Sequence, residues 1–277
     1  VRQTLRDVQA VTTFIWNHPA NRERRLRSLL RSVRFQLKGR MGRRTITPIG
    51  IHGRMYADLH WTGASKVVYA NPPDWAEMQA WRRILKPGDI FLDVGSNVGS
   101  YALWAADLGA EVIAVEPDAN AVARLRENIG LSQFDVEVLQ CALGRKLGSS
   151  FLTTGLDTVN HLVMNPTPDS QMIAVRTVDD VLGERYAAGV KIDVEGAERL
   201  VLEGATKALE QHRIGYLQLE WNEMSRCVLN EDRKPVHGLL RSFGYRLYRP
   251  DSEGALRPVG NTDYGSDVFA VSPVHLP

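Results

Sequence analysis

Cysteine is nearly absent from this chain. Only Cys141 and Cys227 occur in 277 residues, far apart and without a paired neighbour. That excludes a disulfide framework and a Cys-type zinc site. No apolar run reaches the roughly 20 residues of a membrane-spanning helix. The first residues mix polar and apolar types, with no continuous h-region of a signal peptide. Internal repeats and low-complexity tracts are also missing. These absences make a reducing cytoplasm the expected setting.

The apolar share of 44% is ample for a large core. The length suits one α/β domain of about 200 residues with an extension. The net charge of +2 hides an uneven distribution. Residues 1–44 hold eleven Arg and one Lys against Asp7 and Glu23, so the arm carries +10 and the remainder −8. A basic arm on an acidic body raises nucleic acid as a partner, but no stacking aromatics or recognised binding module accompany it. Leu26, Leu29, Leu30, Val33 and Leu37 interleave with Arg22, Arg24, Arg25, Arg27, Arg31 and Arg34. This spacing predicts an amphipathic helix over about 21–38, able to dock on its own body, on a second subunit as a homo-oligomer, or on an acidic membrane surface.

The chain is organised around residues 89–101. Ile90, Phe91, Leu92 and Val94 suit a strand buried on both faces. Gly95 and Gly99 allow a sharp turn, and Tyr101 to Ala106 reads as the helix that follows. A second strand, 110–115, ends in Glu116 and Pro117. Glu116 lies 21 positions after Gly95, where a strand-tip carboxylate can accept two hydrogen bonds from a ribose diol. A dinucleotide site wants G-x-G-x-x-G. Here Asp93-x-Gly95-x-Asn97-x-Gly99 lacks the third Gly. Asp93 would repel a pyrophosphate but suits a ligand carrying an ammonium and a sulfonium. The pattern resembles motif I of the S-adenosylmethionine-dependent methyltransferases. NAD is the weaker alternative, and an empty flavodoxin-like crevice leaves Asp93 and Glu116 at successive tips unexplained.

Along the rest of the chain, 1–20 reads as a helix and 45–70 as two or three short strands with tight turns. Asp74 is a candidate N-cap for a helix through Leu85 that would cover one side of the crevice. Strands are expected at 136–141, 190–194, 214–221, 245–249 and 267–271, with extra ones at 149–154 and 172–176. Helices are expected at 119–129, 197–211 and 235–242, with a capped turn from Thr177. The boundaries expected are an N-terminal arm, 1–73, and a cofactor-binding domain, 74–277.

A second motif, Lys191-Ile-Asp193-Val-Glu195-Gly196-Ala-Glu198, joins Asp93-Val-Gly-Ser-Asn-Val-Gly and Val115-Glu116-Pro117. Leu200 to Ala205 and Leu217 to Glu220 extend the match. Together they resemble the FkbM family of methyltransferases over about 85–270. The resemblance implies a Rossmann-like class I methyltransferase fold, α/β, with a seven-stranded, mostly parallel sheet and helices on both faces. It implies methyl transfer from adenosylmethionine to oxygen, on a sugar, polyketide or cell-surface glycan hydroxyl. Ser96, Asn97, Tyr101, Pro117, Cys141 and Ala142 join Asp93, Gly95, Gly99, Glu116 and Asp193 as expected cofactor contacts.

In an open α/β sheet the crevice forms where strand order reverses, so Asp193 should face Asp93 across it. A hydroxyl is a poor nucleophile until its proton begins to leave. Asp193 is the first candidate to accept that proton, with Glu220 and the loop residue His161 as further candidates. Alternatively Asp193, Glu220 and Asn222 could hold Mg²⁺ as a hard oxygen site. Trp221 separates the last two, where comparable families place adjacent polar ligands. Glu195 and Glu198 are also read as N-terminal helix charge. Trp61, Trp75, Trp81 and Trp221 are read as core packing or, alternatively, sugar-stacking rings. The competing readings are an RNA methyltransferase using the basic arm, a non-catalytic scaffold and an NAD-dependent oxidoreductase.

Overall fold

Helices α1 (Arg2–Asn17) and α2 (Arg25–Arg40) precede an antiparallel hairpin, β1 (Thr45–Ile49) and β2 (Gly53–Ala57). The computed structural model describes residues 2–59, 62–153, 162–163, 168–260 and 263–276. The hairpin turn is tied to the body by Asp107, whose carboxylate accepts the Ile51, His52 and Gly53 N–H groups. Among the described residues no third strand follows. Residues Thr62–Tyr69 form helix α3, because Ala64, Val67 and Val68 bury at helical, not alternating, spacing.

Helix α4 (Trp75–Ile84) buries Met78, Ala80 and Trp81. Asp74 precedes it but makes no capping hydrogen bond. Strands and helices then alternate: β3 (Ile90–Val94), α5 (Ser100–Asp107), β4 (Glu111–Val115), α6 (Ala119–Ser132) and β5 (Val136–Leu139). The Asp118 carboxylate caps α6 by accepting the Asn120 and Ala121 N–H groups. Next come β6 (Ala142–Leu143), β7 (Gly148–Thr153), β8 (Leu162–Val163) and β9 (Ser170–Arg176). These four form a separate sheet in the order β6-β9-β7-β8.

Helix α7 (Val178–Leu182) starts at Thr177, whose hydroxyl accepts the Asp180 N–H. Strand β10 (Ala187–Ile192) is buried at every position. The helix expected over 197–211 is two helices, α8 (Glu198–Glu203) and α9 (Thr206–Glu210). They part at Gly204, which packs so close to the 142–148 segment that a Cβ there would lie 2.0 Å from the Gly144 carbonyl oxygen. Strand β11 (Ile214–Leu219) follows, then α10 (Met224–Leu229), α11 (Lys234–Ser242), β12 (Arg246–Pro250), β13 (Leu256–Pro258) and β14 (Val268–Val271).

The main sheet runs β13-β12-β14-β11-β10-β3-β4-β5. The pairs β11–β10, β10–β3, β3–β4 and β4–β5 are parallel, and β14 lies antiparallel between β11 and β12. This is the expected seven-strand arrangement with an inserted antiparallel strand. The long turn over 250–265 adds an eighth strand, β13, at the edge.

One apolar face of the sheet packs on α8, α9 and α11, through Val201, Leu202, Leu209 and Leu240. The other face joins α4 and α5, and its cluster continues into the N-terminal elements through Phe35, Ile49, Met55 and Val67. Helix α2, the β1–β2 hairpin and α3 therefore share a core with the sheet. Trp81 is fully buried in it, between Phe91 and Phe269, and Trp221 is fully buried in the cluster on the opposite face. They are core, not sugar-stacking platforms. Trp75 is half-buried and donates to the Ser252 carbonyl at 2.7 Å. Trp61 lies outside the described residues.

Candidate active site

Strand order reverses at β3, which has β4 on one side and β10 on the other. The turn leaving β3 is held in left-handed backbone at three positions, Gly95 (φ 80), Asn97 (φ 49) and Gly99 (φ 95). A side chain at Gly95 is excluded on two counts, since its Cβ would also lie 1.8 Å from the Asp193 carbonyl oxygen. The two strand tips are in backbone contact. That contact sets the start of the 193–198 loop against the turn that follows Asp93, with the Asp193 N–H donated to the Val94 carbonyl.

The turn is tied to the tip of β4. Gly95 and Ser96 donate their N–H groups to the Val115 carbonyl, and Asn97 donates to Glu116 Oε2 at 2.8 Å. Glu116 Oε1 accepts the Asp118 N–H at 2.9 Å. A carboxylate has about four lone-pair sites, so two remain for a ribose diol. Burial pushes Glu116 up to about 7, against the pull of the Asp118 and Asn97 N–H groups. Donors on a bound diol favour the ionised form. Binding below neutrality must then release a proton, so affinity for adenosylhomocysteine should climb up to about tenfold per pH unit below pH 7 and level off above it. Glu116→Gln should remove the rise between about pH 6 and pH 7, leaving only the dependence that Asp93, raised to about 6, contributes below it. Glu116→Ala should weaken binding by about 1.5–3 kcal/mol. Calorimetry on both sides of neutrality checks this, and an unchanged affinity in folded Glu116→Ala would remove the residue from the site.

Asp93 is buried near the C-terminal end of β3, and neither of its oxygens has a hydrogen-bond partner. Burial raises it to about 6, while Lys191 and the Ala102 N–H pull it back without closing a hydrogen bond. The Ser96 hydroxyl is likewise buried and unpartnered. Orphaned buried acceptors call for donors. A ligand with an ammonium group fits them, and a pyrophosphate does not.

A polar row crosses the otherwise apolar sheet. Asp93 on β3, Lys191 on β10 and Gln218 on β11 stand side by side in register. Lys191 is buried, lies 4.6 Å from the Tyr101 ring centre, and donates to Asp193 Oδ2 at 2.8 Å. Burial opposes its charge, but Asp193 and Asp93 outweigh that and raise its pKa. Gln218 donates to Asp267 at 2.7 Å and to the Tyr101 hydroxyl at 3.1 Å, and accepts from the Trp81 indole. Tyr101, expected as a cofactor contact, is thus buried with its hydroxyl held by Gln218.

Asp193, Glu195 and Glu220 converge just beyond the tips of β10 and β11. Each offers a carboxylate oxygen, and these oxygens all lie within 4.8 Å of one another. Glu220 Oε2 is buried without a partner. Burial, then Asp193 and Glu195, push Glu220 up to about 9. Burial, then Asp193 and Glu198, push Glu195 to about 7. Three carboxylates this close cannot all ionise freely, so the cluster holds protons at neutral pH or takes a cation. The donor set is hard oxygen, which suits Mg²⁺. Asn222, expected as a ligand, turns away: its Oδ1 accepts the Met224 N–H at 2.8 Å and faces Arg233. Glu195 takes the third corner instead, from a left-handed backbone at φ 52.

Beneath this cluster Glu198 pairs with Arg233 at 2.5 Å, both fully buried. The other Glu198 oxygen accepts the Gly196 N–H at 3.0 Å. Glu198 is therefore an anchor of the 193–198 loop and not an exposed helix charge. Cys141 is buried in the sheet core beside Ala142, and Pro117 is half-buried just after Glu116. His161 lies outside the described residues. Sequence reasoning gave no role to Lys191, Arg233 or Asp267. Lys191 stood within the second motif, but only the strand register shows that it faces Asp93.

Comparison with known proteins gives the same direction. The family model described as "Methyltransferase FkbM domain" matches residues 93–247. The chain is 29% identical over 200 residues to the 31-O-demethyl-FK506 methyltransferase FkbM of Streptomyces tacrolimicus, covering 59% of this chain and 75% of that protein. It is 33% identical over 125 residues to the hexuronic acid methyltransferase AglP of Haloferax volcanii, covering 44% of this chain and 52% of that protein. Among solved structures, the T. thermophilus 16S rRNA N2 G1207 methyltransferase RsmC, in complex with AdoMet and guanosine, is 17% identical. It covers 83% of this chain and 50% of its own, with a TM-score of 0.46.

Proposed function

The chain belongs to the FkbM family and is an adenosylmethionine-dependent methyltransferase, and we propose that it methylates a hydroxyl oxygen of a sugar, a glycosylated or polyketide natural product, or a cell-surface glycan. The observation that carries this reading is the Asp193–Glu195–Glu220 cluster at the crevice mouth. Transfer to a neutral hydroxyl leaves a proton to be removed, and a carboxylate cluster is equipped to take it. The names of the two relatives, a 31-O-demethyl-FK506 methyltransferase and a hexuronic acid methyltransferase, support an oxygen target.

In this reading adenosylmethionine supplies a methyl group on a good leaving group. The chain supplies alignment and proton management. Glu116 holds the ribose, and Asp93 and Ser96 receive the donors of the amino-acid end. Asp193, oriented by Lys191, accepts the hydroxyl proton. If Mg²⁺ binds, Asp193, Glu195 and Glu220 hold it, and it would acidify the hydroxyl.

The experiment is transfer of a labelled methyl group to a panel of saccharides, polyketide glycosides and RNA. Incorporation into a saccharide or glycoside as an ether supports the proposal. Incorporation into RNA alone overturns it. Treatment with a chelator then separates the two uses of the cluster. Activity lost and restored by Mg²⁺ assigns a cation, and indifference assigns direct proton transfer.

A further inference from the structure

Helix α2 turns the wrong face outward for a helix that simply packs on its own domain. Ser28, Ser32 and Phe35 are its buried residues. At about 100° per residue, Leu26, Leu30, Val33 and Leu37 lie on the opposite side. They are exposed by 70, 58, 55 and 55%. The apolar stripe read from the sequence is therefore real, but it points away from the body.

Cations flank this stripe. Arg27, Arg31, Arg34 and Lys38 line its one side, around an open cleft of about 480 Å³ floored by Phe35 and Thr45. Arg25 and Arg40 stand on the other side. The helix contains no Asp or Glu. Beside its first turn, Trp16 of α1 is 43% exposed beneath the Arg25 guanidinium.

We propose that α2 is a docking helix for an anionic phospholipid surface, lying in the plane of the headgroups with its leucine stripe inserted. Such helices combine an apolar face, a cationic rim and interfacial aromatics, and bind by buried area plus attraction to acidic lipid. No helix among the described residues is long and apolar enough to cross a membrane. A second copy of the chain fits less well. Its stripe would bring cation against cation, because α2 has no carboxylate to pair across the seam. Nucleic acid would use the cations but leave four exposed aliphatic side chains unused.

The test is sedimentation of the 277-residue chain with two kinds of vesicle. One is phosphatidylcholine alone; the other contains about one third phosphatidylglycerol. The protein should bind the acidic vesicles and leave the neutral ones, with binding weakened by salt. Replacing Leu26, Leu30, Val33 and Leu37 together by Ser should lower partitioning at least about tenfold. Arg27→Glu with Arg34→Glu should do the same. Both variants lie on the surface, and retained adenosylhomocysteine binding shows that they fold. The proposal is overturned if wild type ignores acidic vesicles, or if the stripe variant binds them as well as wild type. It is also overturned if light scattering shows a dimer that the stripe variant dissolves, or if RNA binds more tightly than vesicles irrespective of the stripe.

Discussion

Asp193→Asn should lower turnover by about 10²–10⁴, the contribution of a positioned acid or base, while adenosylhomocysteine affinity changes little. The substitution preserves size and polarity but removes the proton acceptor. The split between the two readouts follows from geometry. Asp193 stands beyond the tip of β10 with Glu195 and Glu220, whereas the ribose contact is assigned to Glu116 beyond β4. Lys191 donates to Asp193 and faces Asp93, so it couples the two sides of the crevice. Losing Asp193 leaves the Lys191 ammonium buried with one fewer partner. Lys191→Met alone and with Asp193→Asn separates that effect from lost proton transfer. If the single Asn variant turns over nearly as fast as wild type, neither base nor cation-ligand role survives at that position. Glu195 and Glu220 then become the residues to test.

Arg233→Met should destabilise the fold by about 3–5 kcal/mol, the usual cost of stranding one buried charge. Glu198, fully buried, has Arg233 as its ion-pair partner. Replacing both as Glu198→Leu with Arg233→Met should recover a good part of the loss, since a buried pair is expensive to break but cheap to remove whole. Urea unfolding of the three variants measures this. Activity should not recover in parallel. Glu198 also holds the Gly196 N–H and so fixes the loop that carries Asp193 and Glu195. Stability restored together with full turnover would show that the pair anchors nothing of catalytic value.

The strand–turn–helix at Asp93–Gly99 and the terminal Glu116 were legible because each residue type is forced. A left-handed turn demands Gly, and a buried strand demands an apolar run. The FkbM resemblance rested on those motifs, and the sheet order was implied by the resemblance alone, since strand order depends on pairing that residue types do not fix. Lys191 was not, because its meaning depends on register. Only the pairing of β10 with β3 sets it beside Asp93. The swap of Glu195 for Asn222 was hidden too. It depends on a φ of 52 at Glu195 and on Arg233 arriving from a later turn. The α2 stripe shows a third kind of limit. Periodicity gives a face but not its direction, and here Ser28, Ser32 and Phe35 took the inner side. Residues 45–70 were read as two or three short strands from their weak alternation and glycines; two strands form, and burial of Ala64, Val67 and Val68 at helical spacing marks α3 as a helix.

The most direct measurement is a crystal structure of the chain with adenosylhomocysteine bound. The ribose diol should lie on the Glu116 carboxylate, the amino-acid end should reach Asp93 and Ser96, and the sulfur should face Asp193, Glu195 and Glu220 across open space for an acceptor. A nucleoside seated away from Glu116, or a sulfur directed away from the three carboxylates, would contradict the account.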